Sequence, residues 1–436
     1  MHRVKGTPNE GLFGATLGFF VGFAAVSLFG PTAHRFREVM TLSPVMVGFL
    51  VAAPALTGSL LRIPFGAWVD TTGGRRPFMI LLILSFLGMT GLLGVSWMLY
   101  PDHLGTAHYP LLLFLGALSG CGIATFSVGI GQVSYWFPQR RQGWALGTYA
   151  GLGNVAPGTF AFLLPITLAA WGLAGSYLAW LVLLGVGIAL YSFTGLNAPF
   201  FQLRREGMST REAQSAAREM GQELFPAGGL TDSLRIAARV WKTWALVLVY
   251  FTTFGGFIAL TAWFPTYWMS FFESTAGTAG LLTAIYSVGA SLIRVPGGSL
   301  ADRWGGERTA ILSLSVMLAG AVVLTVSHTF ALSVGGAVLL AVGMGVTNAA
   351  VFKLVPQEIR EAVGGAAGWV GGLGAFGGFA IPPLMGLFVR LRGADGYASG
   401  FLTFVVLAVV SMGLAQLLRR SHAAPESLPA QAAVSR

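Results

Sequence analysis

One cysteine, six histidines and charged residues at only 10% leave this 436-residue chain few of the usual tools of catalysis. A lone Cys121 permits no disulfide and no thiol relay within the chain, and it reads as a small core residue. No H-E-x-x-H run or other metal-ligand cluster occurs, and no nucleophile shares a wall with a base. We therefore expect no metal, no cofactor and no enzymatic activity. The sixteen Asp and Glu fall in loops or termini, and the histidines at 2, 34, 103, 108, 328 and 422 lie near ends or loops. A proton relay buried in lipid would lack its normal parts.

What the chain does have is apolar sequence: 55% of residues are hydrophobic and the mean hydropathy is +0.72. Twelve segments are long enough to cross a hydrocarbon core of about 30 Å as helices. They lie near 11–31, 44–68, 77–99, 110–136, 143–166, 176–198, 241–268, 277–299, 309–327, 331–354, 363–388 and 398–418. The first lacks a small-residue cleavage site and is read as a retained helix. The net charge of +10 is topological and points to a bilayer partner, not to nucleic acid. Arg35, Arg37, Arg390 and Arg392 fall in loops on one side; Arg75/Arg76, Arg140/Arg141, Arg303/Arg308 and the run from Arg204 to Lys242 fall on the other. Basic loops stay inside, which puts both termini in the cytoplasm.

Two arginines sit within apolar stretches, Arg62 in ALTGSLLRIPFGAW and Arg294 in SVGASLIRVPGGSL. An arginine in lipid costs at least about 2.5–3.5 kcal/mol and normally faces a protein interior. The frames match: RIPFGAWVDTTGGRR (62–76) and RVPGGSLADRWGGER (294–308) share Arg, Pro, Gly, Asp, Gly-Gly and Arg at equal offsets. A weaker echo links PQRRQGWALGTYAGLG (138–153) to PQEIREAVGGAAGWVGGLG (356–374), with three extra residues in the second copy. The chain is thus expected to be all-α, two pseudo-symmetric six-helix bundles at 1–198 and 241–420. Residues 199–240 join them as an amphipathic cytoplasmic helix, and 421–436 form a polar tail. Two arginines at equivalent places imply a cationic site between the halves, and an anionic ligand.

In the repeated loops, Asp70 and Asp302 have two expected partners: the N-terminus of a neighbouring helix, or Arg76 and Arg308. Either contact would latch one conformation. Lys353, near the inner end of span ten, either snorkels or adds a cation to the exit route. AGLGNVAPGTF (150–160) and GWVGGLGAFGGFAIPP (368–383) are glycine-dense. Glycine permits close helix approach in membranes, and Gly151, Gly153, Gly371, Gly372, Gly374, Gly377 and Gly378 are read as thin faces lining a path.

With its repeated Asp-x-x-Gly-Gly-x-Arg loops, the chain resembles major facilitator superfamily transporters from about residue 11 to 420. The two glycine signatures combined with the paired arginines resemble the nitrate/nitrite porter family. That resemblance implies an anion held between Arg62 and Arg294, with Asn154, Tyr250, Phe254, Phe126 and Phe19 (or Phe20 in that register) around it. Pro157, three residues after Asn154, departs from the expected pattern and threatens its placement. Nitrate is flat and monovalent, and guanidinium is a planar fork suited to its oxygens. The implied activity is nitrate and nitrite transport by rocking of the halves, in a monomer of the inner membrane. The lack of embedded carboxylates favours exchange of one anion for the other over proton symport.

Overall fold

Proline explains where two of the spans break. In the computed structural model, which describes residues 4–26, 28–42 and 44–423, span two is Pro44–Leu60 followed by Arg62–Thr72, with only Leu61 between. Span eight is Ala276–Leu292 followed by Arg294–Trp304, with only Ile293 between. Pro64 and Pro296 lack the N–H that would bond the carbonyls of Leu60 and Leu292, and their rings crowd those carbonyls. Each arginine therefore begins the second half of a broken span. Spans four (Tyr109–Ser119, Cys121–Trp136) and eleven (Val363–Ala375, Gly377–Arg392) are also interrupted, at Gly120 and Phe376, without a proline three residues on.

Helix is the only regular structure among the described residues. All twelve expected segments are predominantly helical, and ten stretches are long and apolar enough to cross a membrane. The other two expected spans correspond to Pro8–Val26 and the first half of Gln139–Thr194. Spans five and six form that single 56-residue stretch, turned at Gly172, where φ is +65°. Pro157 does not break it.

Three expectations change. Arg35 and Arg37 lie in a helix, Phe29–Met40, where a loop was expected. Span ten runs to Glu358, past its expected end, and keeps Pro356 within its last turn. The connector 199–240 is not one amphipathic helix but three short ones, Pro199–Arg205, Thr210–Glu219 and Leu230–Arg239. Ser209 caps the second through the Glu212 N–H, and Gly221 and Gly228-Gly229 interrupt the sequence between the second and third. Most of the expected tail lies outside the described residues.

Candidate functional site

Arg62 and Arg294, both at most 2% exposed, lie against one aromatic cluster. The Arg62 guanidinium carbon lies 4.8 Å from the ring centre of Phe126 and 5.5 Å from that of Phe254. That of Arg294 lies 5.0 Å from the same Phe254 ring. Phe126 stacks on Phe254 (5.9 Å) and Tyr250 (6.2 Å), and Tyr250 stacks on Phe254 at 4.8 Å. Phe19 joins at 5.4 Å from Phe126. Phe20 instead packs on Phe160, so Phe19 is the ring at the cluster. Span seven delivers Tyr250 and Phe254 around a π-helical stretch, Phe251–Gly255, a rare local feature that is frequent at functional sites.

Among the described residues, no carboxylate balances the two guanidinium charges locally. The acids nearest along the same helices, Asp70 and Asp302, lie roughly two turns further, about 12 Å away, and their oxygens are occupied there. Arg62 Nη1 donates to the Gly371 carbonyl at 2.9 Å, whereas its Nε and Arg294 Nη1 are buried without a partner. Tyr250 Oη faces the Arg294 guanidinium without a well-aligned hydrogen bond. Buried donors and charges normally find partners, so this group is chemically prepared for an acceptor with negative charge. Asn154 is buried, but its Nδ2 donates to Ala150 O at 2.6 Å and its Oδ1 has no partner. The amide nitrogen expected to donate to the anion spends one of its two N–H groups within its own helix.

The signature glycines are close-packing sites of two kinds. A Cβ on Gly151 would lie 2.9 Å from Ser291 O, and one on Gly372 would lie 3.0 Å from Ser59 O; both face the opposite half. Gly371 faces Ser127 and Arg62. Gly153 is filled by Phe19, Gly374 by Tyr250, Gly377 by the backbone of Phe251 and Gly255, and Gly378 by Ile258. The second group thus seats the aromatic cluster, while the first brings the halves together. Further along, Gly143 and Gly147 lie on Gly298 and Arg294, as Gly364 and Gly368 lie on Gly66 and Arg62.

At the end of each glycine contact is an aspartate that caps a helix of the other half. Asp70 accepts from Gly364 N–H (3.0 Å), Gly365 N–H (3.3 Å), Tyr135 Oη (2.7 Å) and Ser233 Oγ (2.5 Å). Asp302 accepts from Gly143 N–H (2.8 Å), Trp144 N–H (2.7 Å) and Lys353 Nζ (2.8 Å). A carboxylate at a helix N-terminus satisfies free N–H groups and the helix dipole together. The loop glycines Gly73 and Gly305 follow with φ +75° and +87°, a turn that a side chain would strain. Arg76 and Arg308 are exposed and pair with neither aspartate. Lys353 neither snorkels nor stands open: it bridges Asp302 to the Gln139 carbonyl across the halves.

Several site residues escaped sequence reading. Tyr149 donates to the carbonyls of Thr125 and Phe126, and Phe352 meets Phe126 edge-on at 5.0 Å. Ser127 Oγ donates across the halves to Ala367 O. Tyr135 had a usable signal, since it stands three residues before the repeated Pro-Gln, as Lys353 does in the second half.

A sequence model of the Major Facilitator Superfamily matches residues 15–275 and 268–435. Among characterised relatives, a probable nitrate/nitrite antiporter (NarK1) of Thermus thermophilus is 31% identical, over 85% of this chain and 83% of its own. A nitrite extrusion protein of Bacillus subtilis is 29% identical over 92% and 91%, and a probable nitrate transporter (NarT) of Staphylococcus epidermidis 28% over 91% and 94%. Among solved structures, the proton:xylose symporter XylE superposes with a TM-score of 0.73 at 14% identity, over 95% of each chain. The human organic anion transporter MFSD10 gives 0.66 at 14%, over 94% of this chain and all of its own. At that identity the structures speak for the fold alone.

Proposed function

The chain belongs to the Major Facilitator Superfamily, and on that premise we propose that it exchanges nitrate and nitrite across the inner membrane by alternating access. Its termini, connector and Asp clasps face the cytoplasm, where basic loops are retained. The observation that carries this reading is the buried arginine pair: two guanidiniums share the Phe254 ring with no carboxylate beside them. One anion between them offsets part of the repulsion and gives Arg62 Nε, Arg294 Nη1 and the Tyr250 hydroxyl an acceptor. The flat, stacked rings of Phe126, Tyr250 and Phe254 suit a planar monoanion. The names of the relatives, one of them a probable antiporter, support the same substrates and exchange.

Alternation follows from where the charges are. With the glycine stripes in contact and both aspartates capping the opposite half, the cytoplasmic side is closed. Rocking open breaks both clasps and the Arg62 to Gly371 bond together. A bound anion shifts the balance only by contacting the two states differently, and it does so at Arg62, whose cross-half carbonyl partner it can replace. Each chain holds a complete site, so a monomer suffices.

Reconstituted protein in vesicles preloaded with nitrite, with membrane potential and pH gradient held at zero, tests this directly. Nitrate entry should require internal nitrite and ignore an imposed pH gradient. Entry driven by an inward proton gradient without internal nitrite would replace exchange by symport. No nitrate entry under either condition would pass the site to another small anion. Arg62→Lys and Arg294→Lys should each abolish exchange although charge is kept, because the fork is lost; near-normal rates in both would refute the bidentate site.

A further inference from the structure

The two arginines occupy equivalent positions but are not equivalent. The stripe Gly143, Gly147, Gly151 lies on Gly298, Arg294 and Ser291; the stripe Gly364, Gly368, Gly372 lies on Gly66, Arg62 and Ser59. The residue before the third glycine is Ala150 in one stripe and Gly371 in the other, so their carbonyls stand in the same place relative to Arg294 and Arg62. Gly371 O is taken by Arg62 Nη1 at 2.9 Å. Ala150 O is taken by Asn154 Nδ2 at 2.6 Å, and Arg294 Nη1 has no partner. A Cβ on Gly151 would lie 3.4 Å from Arg294 Cβ, so the Arg294 side chain starts beside that carbonyl. At the place of Asn154 the second stripe has Ala375, which offers no donor.

We propose that Asn154 is a positioning residue: by occupying the Ala150 carbonyl it keeps Arg294 untethered, so that Arg294 is the standing anion binder and Arg62 the tether to the opposite half. This rests on the anion-transport reading above and assigns the arginines separate duties within it. The amide orientation follows from chemistry, since only Nδ2 can donate to a carbonyl, and the oxygen left over is an acceptor that gives an anion nothing. Without Asn154, Arg294 gains the same carbonyl bond that Arg62 has, and an anion must compete with it. Arg62 already faces that competition, and its bond breaks whenever the halves part. Affinity therefore resides with Arg294, and the coupling of occupancy to closure resides with Arg62.

The test uses purified full-length protein, five single variants and the two double variants that combine Asn154→Ala with each arginine change. Asn154→Ala should weaken nitrate binding by about tenfold or more, the scale of one charge-assisted hydrogen bond. Asn154→Thr should restore most of that loss, because a threonine hydroxyl also bonds the carbonyl four residues back. Ala375→Asn should strengthen nitrate binding by freeing Arg62. In melting temperatures taken without nitrate, Asn154→Ala should be non-additive with Arg294→Lys and additive with Arg62→Lys. If Asn154 instead contacts the anion, Asn154→Thr will bind as weakly as Asn154→Ala, Ala375→Asn will have no effect, and the melting temperatures will be additive throughout. The melting cycle needs no ligand: its failure overturns this assignment alone, whereas wild-type protein that binds no nitrate overturns the transport reading and leaves the cycle to decide the assignment.

Discussion

Tyr135 and Lys353 hold the same place in the two halves, three residues before a Pro-Gln, and each donates to the aspartate of its own half. One donor is neutral and the other charged. Losing Lys353 leaves Asp302 nearly buried with only two backbone donors and no cation, and breaking a buried pair costs about 3–5 kcal/mol. Losing the Tyr135 hydroxyl removes one hydrogen bond from a neutral donor to a carboxylate, about 1.5–3 kcal/mol, while Asp70 keeps Ser233, Gly364 and Gly365. Lys353→Met should therefore lower the melting temperature and cut exchange more than tenfold, and Tyr135→Phe should stay within about threefold. Equal losses would mean the two clasps are energetically alike.

The glycine stripes make a second asymmetry measurable, between glycines that face the other half and glycines that face nothing. A Cβ on Gly147 would lie 2.4 Å from Arg294 O, and one on Gly368 would lie 2.8 Å from Ile63 O. Backbone on the other side leaves no flexible atom to yield, so Gly147→Ala and Gly368→Ala should force the halves apart on the cytoplasmic side. Around Gly94 nothing lies within 4 Å, and Gly94→Ala should be neutral or slightly stabilising through helix propensity. Labelling of a cysteine introduced next to the clasp should speed up in the first two variants and not in the third. Unchanged labelling in all three would show that the stripes do not seal this side.

How much of this was legible follows from repetition. Arg62, Arg294, Asp70 and Asp302 stood out because each appears twice at one offset, and their surroundings match in the structure as well. The partner of each aspartate was harder to see: a backbone N–H leaves no mark in sequence, so Arg76 and Arg308 looked as plausible as Gly364 and Gly143. Phe352 and Tyr149 carried no signal, since 32 phenylalanines and twelve apolar spans make any one ring look like lipid-facing core. The breaks at Leu61 and Ile293 were in principle readable from Pro64 and Pro296. The folding of the connector onto the clasps was not, because its charged pattern describes an exposed helix face and says nothing of what the other face covers.

That connector yields a third prediction. Ser233 reaches Asp70 and accepts from Gly365 N–H, while Glu223 accepts from Gln139 N–H at the start of span five, beside the Asp302 clasp. One strap thus touches both clasps. Ser233→Ala removes one buried hydrogen bond and should modestly favour opening on the cytoplasmic side. Ser233→Asp sets a second carboxylate against Asp70, where two like charges in a low dielectric repel strongly, and should favour opening far more. Hydrogen exchange at the N-terminal turn of Val363–Ala375 reports it: faster exchange in the order wild type, Ala, Asp is expected. Identical exchange in all three would detach the strap from the gate.

Phe254 carries the last prediction, because its ring is the only one with both guanidiniums over it among the described residues. Each such contact is worth about 2 kcal/mol when desolvated, and the two like charges share this ring with no carboxylate offsetting them among the described residues. Leucine keeps the volume approximately but has no quadrupole. Phe254→Leu protein should melt lower than wild type in nitrate-free buffer, since the arginines then repel unscreened. Nitrate should raise its melting temperature by more than it raises that of wild type, because the anion now supplies screening that the ring supplied before. Ligand stabilisation grows with affinity at fixed concentration, so the larger shift has a single reading when exchange persists. If Phe254→Leu melts like wild type without nitrate, the ring is packing alone and the arginines are held apart by the backbone.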